Sequence, residues 1–107
     1  MRTAFAFLCA LLLTACSQPT GVKVIIGARL DTIPDSVIVI SDGKIQAAGE
    51  RSQVPVPKGA DITRGTDKIA EPVPSNGRIA AGEPADLLLR DPSNGTQMIM
   101  RGGEWVK

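Results

Sequence analysis

The dipeptide Asp42-Gly43 separates two short apolar segments, and this feature constrains the fold more than any other in the chain. An Asp-Gly pair in that position is a strong β-hairpin signal, because a type I′ turn requires positive φ at both central residues. Segments 36–41 and 44–49 are therefore predicted strands, and a third is predicted over 22–29. After position 15 the chain holds 8 Val and 10 Ile against 4 Leu, and β-branched residues favour strands.

The remaining strand signals are shorter and are punctuated by proline and glycine. Further strands or extended segments are predicted at 54–57, 60–63, 85–90, 97–101 and 104–107. Segment 54–57 is expected at a sheet edge, because each of its prolines removes a donor from a strand ladder. Segment 64–75 shows no helical periodicity of apolar residues and is predicted to be a loop. The pattern as a whole predicts an all-β fold, a small β-sandwich or open barrel built from an N-terminal and a C-terminal strand cluster.

The N-terminus has the pattern of a secretory signal. Arg2 precedes an apolar run over 4–13, which is too short to span a bilayer. Leu13-Thr14-Ala15-Cys16 then resembles the lipobox of bacterial lipoproteins, in which the cysteine receives a diacylglyceryl group. We therefore expect a signal peptide over 1–15, lipidation of Cys16 and a lipidated tether over 16–21. An ordinary cleaved signal and a buried N-terminal helix are the alternatives.

This interpretation sets the expected location. Two or three acyl chains, at about 0.8 kcal/mol per buried methylene, make a membrane anchor effectively permanent. Ser17 after the cysteine resembles lipoproteins sent to the outer membrane in Gram-negative bacteria. We therefore expect a lipid-anchored protein of the cell envelope, on the periplasmic side of the outer membrane if the host is Gram-negative. Cys9 would leave with the signal peptide, so no disulfide with Cys16 is expected.

Composition excludes several function classes. The chain has no histidine, which removes the commonest general base and metal ligand. Its formal net charge is +1, and one aromatic residue, Trp105, remains after the signal segment. The chain therefore lacks both an excess of basic residues to bind phosphates and aromatic side chains on which bases could stack. No nucleic-acid partner is expected. With 107 residues the chain is also too short for a complete (β/α)8 barrel of about 250 residues.

Several segments, taken in order, carry a family resemblance. The first group comprises 24–30, 36–40, the run Asp42-Gly43-Lys44-Ile45 and 47–49. These resemble the N-terminal strands of metal-dependent amidohydrolases of the imidazolonepropionase, dihydroorotase and aryldialkyl-amidohydrolase type. Segment 57–62 resembles the part that leads into their catalytic barrel, 77–89 the part that leaves it, and 98–107 their closing hairpin.

The resemblance implies a composite β-sandwich over 22–107, with a first piece at 22–63, a join at 64–76 and a second piece at 77–107. In that family the barrel is inserted between the two pieces and carries His-x-His, further His, an Asp and often a carboxylated Lys. These hold divalent metals that activate a water. The barrel is missing here, so the resemblance carries over no catalytic residue, no cofactor and no metal ligand.

The expected function is therefore a barrel-less, amidohydrolase-like lipoprotein that is a non-catalytic remnant or a binding or scaffold module. The family activity is hydrolysis of non-peptide carbon–nitrogen bonds. One alternative is the sandwich subunit of a split amidohydrolase, whose partner chain supplies the barrel. Another is an unrelated small structural lipoprotein of the envelope. The membrane, through the lipid anchor, is the expected partner in each case.

A few polar residues invite a catalytic or metal-binding interpretation. Asp61, Asp67 and Glu71 match no calcium-loop spacing and are expected to be solvated loop charges. Asp86 is expected to form a structural turn, the role it has in the resembled motif. Trp105 is expected to cover the core or a sheet edge.

Overall fold

The structure is a computed structural model that describes residues 21–106. The predicted signal peptide, Cys16 and most of the tether lie outside the described residues, as does Lys107. The chain forms nine strands in this range: β1 Lys23–Ile26, β2 Arg29–Leu30, β3 Ser36–Ser41, β4 Lys44–Glu50, β5 Asp61–Arg64, β6 Ile69–Pro72, β7 Leu87–Arg90, β8 Gln97–Arg101 and β9 Glu104–Trp105.

The strands form two mixed sheets. The first has the order β4-β3-β1-β5 and the second has the order β2-β6-β7-β8-β9. Neighbours are antiparallel except in the pairs β1–β5 and β2–β6, which are parallel. The described part of the chain contains no helix, and hence none that could cross a membrane. The predicted all-β sandwich of an N-terminal and a C-terminal strand cluster is confirmed.

Two neighbouring segments of the chain cross together from the first sheet to the second. β1 continues into β2, and β5 continues into β6, so both parallel pairs belong to one corner of the sandwich. Gly27 makes the first bend possible, because its φ of 92° is open to glycine but strained for other residues. The backbone N–H of Arg29 donates to Lys68 O at 2.9 Å and ties the two crossings together. The predicted single strand over 22–29 is therefore wrong, since this bend divides it into β1 and β2.

The predicted loop over 64–75 is also wrong, because it contains β6. This strand lies between β2 and β7 in the second sheet, and Ala70 at its centre is almost fully buried. Its stability comes from partners distant in the sequence, which no local pattern displays. The extended edge predicted at 54–57 is not a strand either. Val54 N–H instead donates to Glu50 O at 3.1 Å and closes a turn after β4.

Both predicted hairpin turns are confirmed. Asp42 and Gly43 have φ values of 57° and 75°, and Gly102 and Gly103 have values of 57° and 84°. Each dipeptide thus has positive φ at both central residues, as a type I′ turn requires. These turns fix the register of β3 with β4 and of β8 with β9.

One hydrophobic core lies between the sheets and draws on both ends of the chain. Its buried members are Ile25, Ala28, Leu30, Ile38, Ile40, Ile45, Ala70, Ala85, Leu87, Leu89 and Met100. A second cluster, formed by Val24, Val37 and Val39, lies on the outer face of the first sheet and packs against Val54 of the following turn. The first and second pieces therefore fold as one unit.

Candidate functional site

The core reaches the surface in a cleft of about 680 Å³, which we call the edge cleft. Its floor is apolar and combines both sheets: Leu30, Ile33, Ala48, Ile69, Ala70 and Ile79. Ala48 comes from β4 of the first sheet, whereas Ile69 and Ala70 come from β6 of the second. Concave sites with apolar floors are the usual place for small ligands.

A tight turn after β2 builds one wall of the edge cleft. Leu30 and Ile33 exchange two backbone hydrogen bonds, each 2.8 Å long. Between them Asp31 takes a φ of 57°, a conformation that Asp tolerates better than most residues. The turn holds the half-buried Ile33 side chain against the core.

The opposite wall is the connection from β6 to β7. It begins with a short turn that we call the junction turn, residues 73–77. Gly77 N–H donates to Pro74 O at 2.8 Å, and Val73 N–H donates to Asp86 O at 3.1 Å. A β-carbon at Gly77 would lie 3.7 Å from Cβ of Pro72, so the turn brings the chain back against the end of β6.

Two of the three charged residues that line the edge cleft, Glu71 and Arg78, are paired with neighbours. Arg90 donates to Glu71 at 2.7 Å. The hydrogen bond and the negative charge of Glu71 raise the pKa of the Arg90 guanidinium, against a smaller opposing effect of desolvation. Arg78 lies 3.8 Å from Glu83, and both side chains are too exposed for that ion pair to contribute much. Asp31, the third charged lining residue, is exposed and belongs to no ion pair within residues 21–106, so the rim carries one unpaired carboxylate.

A second cleft, of about 450 Å³, lies outside the corner where the strands change sheets. Its charged lining residues are Arg29, Asp35, Arg51, Asp67 and Lys68. Nη1 of Arg51 lies 3.5 Å from Oδ1 of Asp35, and Nζ of Lys68 lies 4.0 Å from Oδ2 of Asp91. The three cations and two carboxylates give this lining a net charge of only +1.

The structure does not bring the sequence-predicted carboxylates together. Asp61 lies on the exposed strand β5, and Asp67 lies in the turn before β6 with a φ of 66°. Glu71 is on β6 and bound to Arg90, so the expectation of a solvated loop charge is wrong for this residue. Within residues 21–106, no three His, Cys, Asp or Glu side chains are placed to hold a metal ion.

Two structural roles predicted from the sequence are confirmed. The carboxylate of Asp86 accepts a hydrogen bond from Gly102 N–H at 2.7 Å and so supports the second hairpin turn. Trp105 is half-buried and packs against the core at the edge of the second sheet. The contributions of Arg90 and Ile79 were missed, because no local signal predicts that Arg90 reaches Glu71 across the sheet or that Ile79 covers the core.

No protein-family model matches the chain, and no curated protein has significant similarity to it.

Proposed function

We propose that this protein is a lipid-anchored, barrel-less relative of the metal-dependent amidohydrolases whose composite sandwich acts as a non-catalytic binding or scaffold module in the cell envelope. One observation carries the proposal. Both pieces that resemble the enzymes share a single core, and the chain between them is a short join that contributes β6 to the same sandwich and ends in the junction turn.

The junction turn supports the proposal through its geometry. A domain inserted into another needs two attachment points close together, and Pro72 and Gly77 provide such points. The segments that resemble the enzyme strands correspond to β1 to β5 before the join and to β7 to β9 after it, and β6 of the join lies between β5 and the turn. Loss of a barrel at this position would leave the sandwich hydrogen bonds intact.

The non-catalytic part of the proposal follows from ligand chemistry. A hydrolytic zinc site typically has three protein ligands, usually including histidine, and the chain has none of that residue. We expect no turnover of dihydropyrimidine, lactam or aryl-ester substrates with added Zn²⁺ or Mn²⁺. Turnover that a chelator abolishes, together with metal retained after dialysis, would overturn this part.

The lipid anchor is tested at Cys16. Cys16→Ser should abolish incorporation of labelled palmitate and leave unprocessed precursor, since the thiol is the proposed acceptor. Cys9→Ser is the matched control, because that cysteine belongs to the proposed signal segment and should not affect labelling. Labelling and processing of the Cys16 variant at the parental level would contradict the proposal.

The edge cleft favours a second candidate, the sandwich subunit of a split amidohydrolase. Its apolar floor lies beside the junction turn, where a barrel supplied by another chain would sit. Ala48→Arg would place a charge on the half-buried cleft floor and should abolish co-purification of such a chain. Replacing the exposed Ser52, outside the cleft, by Arg is the control. The candidate requires a neighbouring gene for a barrel that begins with His-x-His and lacks its own sandwich.

A further inference from the structure

The first sheet ends in an uncovered strand, β5. On one side β5 pairs with β1, and within residues 21–106 no strand pairs with its other side. The other sheet edges are two residues long or, in β4, covered at one end. β2 and β9 have two residues each, and Ile45 of β4 exchanges 2.8 Å hydrogen bonds with Gly82 and Glu83.

The hydrogen bonds to β1 show which groups of β5 point outward. Asp61 N–H donates to Val22 O at 2.9 Å, and Gly65 N–H donates to Ile26 O at 2.7 Å. Because backbone groups alternate in direction along a strand, Asp61, Thr63 and Gly65 face β1. Ile62 and Arg64 therefore direct their N–H and C=O groups away from the sheet.

The outward edge of β5 also carries exposed apolar surface. Ile62 pairs with Val24 in the register of β1 and β5, so its side chain lies on the outer face of the sheet beside the Val24, Val37 and Val39 cluster. It is nevertheless 47% exposed. An uncovered strand edge with an exposed apolar side chain is a template for pairing with another strand.

We infer that β5 pairs antiparallel with β5 of a second copy of this chain, around a two-fold axis at Thr63. The edge is complementary to itself, which is why we assign a second copy rather than a foreign peptide. In this register Ile62 lies opposite Arg64 of the second copy, and all four outward backbone groups of each strand find partners.

The same register suits Ile62 and Thr63, although the two Arg64 side chains become diagonal neighbours of like charge. Thr63 meets its own copy in a non-hydrogen-bonded pair, a position where Thr–Thr contacts are favourable. The two Ile62 side chains are diagonal neighbours, about 7–8 Å apart between backbones, and so cover one another. The net charge of +1 gives little general repulsion between copies. The two four-stranded sheets would join into one continuous sheet.

Cysteine cross-linking tests the register. In a full-length background of Cys9→Ser and Cys16→Ser, we expect Thr63→Cys to form a disulfide dimer on mild oxidation. The paired Cα atoms would be about 4.5 Å apart, within the range of about 4.4–6.8 Å for a disulfide.

Asp61→Cys is the matched control, because it lies on the same strand and the same face. In the inferred register its two copies are four residues apart along the strands, about 13 Å, which is beyond disulfide reach. It should cross-link at least tenfold less. Equal yields from the two variants, or no dimer from Thr63→Cys, would overturn the inference.

A third variant removes the pairing without removing bonds to β1. Adding Ile62→Pro to Thr63→Cys deletes an outward donor and the exposed side chain, and proline is tolerated on a free edge. Cross-linking should fall to the Asp61→Cys level with an unchanged melting midpoint. If this variant unfolds, Ile62→Lys replaces it, because lysine opposite Arg64 of the second copy opposes pairing. An unchanged yield in the folded variant contradicts the inference. Since the background lacks Cys16, the outcome is independent of the proposed lipid anchor.

Discussion

Gly43 and Gly103, the second central residues of the two type I′ turns, lie against each other. A β-carbon at Gly103 would be 3.2 Å from Cα of Gly43. Ala85 joins the two turns, since its N–H donates to Gly43 O at 2.9 Å and its C=O accepts from Gly103 N–H at 3.1 Å. The hairpin of each sheet is thereby connected to the other through three residues, two of which have no side chain.

This contact predicts that Gly103→Ala is more harmful than Gly102→Ala. Both positions have positive φ, which costs about 1–2 kcal/mol for a residue with a β-carbon. At Gly103 the new methyl group also meets the backbone of Gly43, whereas at Gly102 nothing lies within 4 Å. Denaturant unfolding of the two variants should show the difference. Equal losses of stability would mean that the turns do not pack in solution.

Leu87 and Leu89 face the core, whereas Leu88 between them is only partly buried. Leu89→Ala should therefore lower the free energy of unfolding by about 2–5 kcal/mol, the cost of a cavity in a packed core. Leu88→Ala is the control and should cost less. Thermal or urea unfolding measures both, and a larger effect at Leu88 would contradict the register of β7.

Ser36 is a buried polar residue whose hydroxyl donates to Ala28 O at 2.7 Å, at the corner between the sheets. Ser36→Ala should cost only about 0.5–1.5 kcal/mol. The carbonyl of Ala28 stays satisfied, because Ser36 N–H also donates to it at 3.0 Å. Ser36→Val is the informative comparison, since it adds volume without a donor and should cost more. A loss above about 3 kcal/mol in the alanine variant, the upper end for ordinary substitutions, would contradict this account.

Asp91 should ionise at unusually low pH. The Ser93 hydroxyl and the Ser93 backbone N–H donate to its carboxylate at 2.6 Å and 2.9 Å, and these bonds lower the pKa of Asp91. A lowered folded-state pKa stabilises the protein above the pKa of the unfolded state, and the gain is lost as pH falls through the folded value. An NMR titration should show this shift, and Ser93→Ala should reduce it. An Asp91 pKa that Ser93→Ala leaves unchanged would refute the assigned cause.

The sequence alone determined the local features of this protein. The all-β class, the strands β3 and β4, and both type I′ turns follow from β-branched segments and from turn residues that accept positive φ. A structural role for Asp86 was also expected, through the family resemblance, but its partner Gly102 was not predicted. For the strands and the turns, the decisive residues are neighbours in the chain.

Only the tertiary structure decided how these parts combine. The bend at Gly27, the central position of β6 and the pairing of Glu71 with Arg90 depend on contacts between residues far apart in the chain. The edge cleft combines residues of both sheets, and β5 lies at the end of its sheet within residues 21–106, which likewise depends on distant contacts. Packing between distant segments stabilises these features, and a local pattern contains no information about which distant segment will supply the partner.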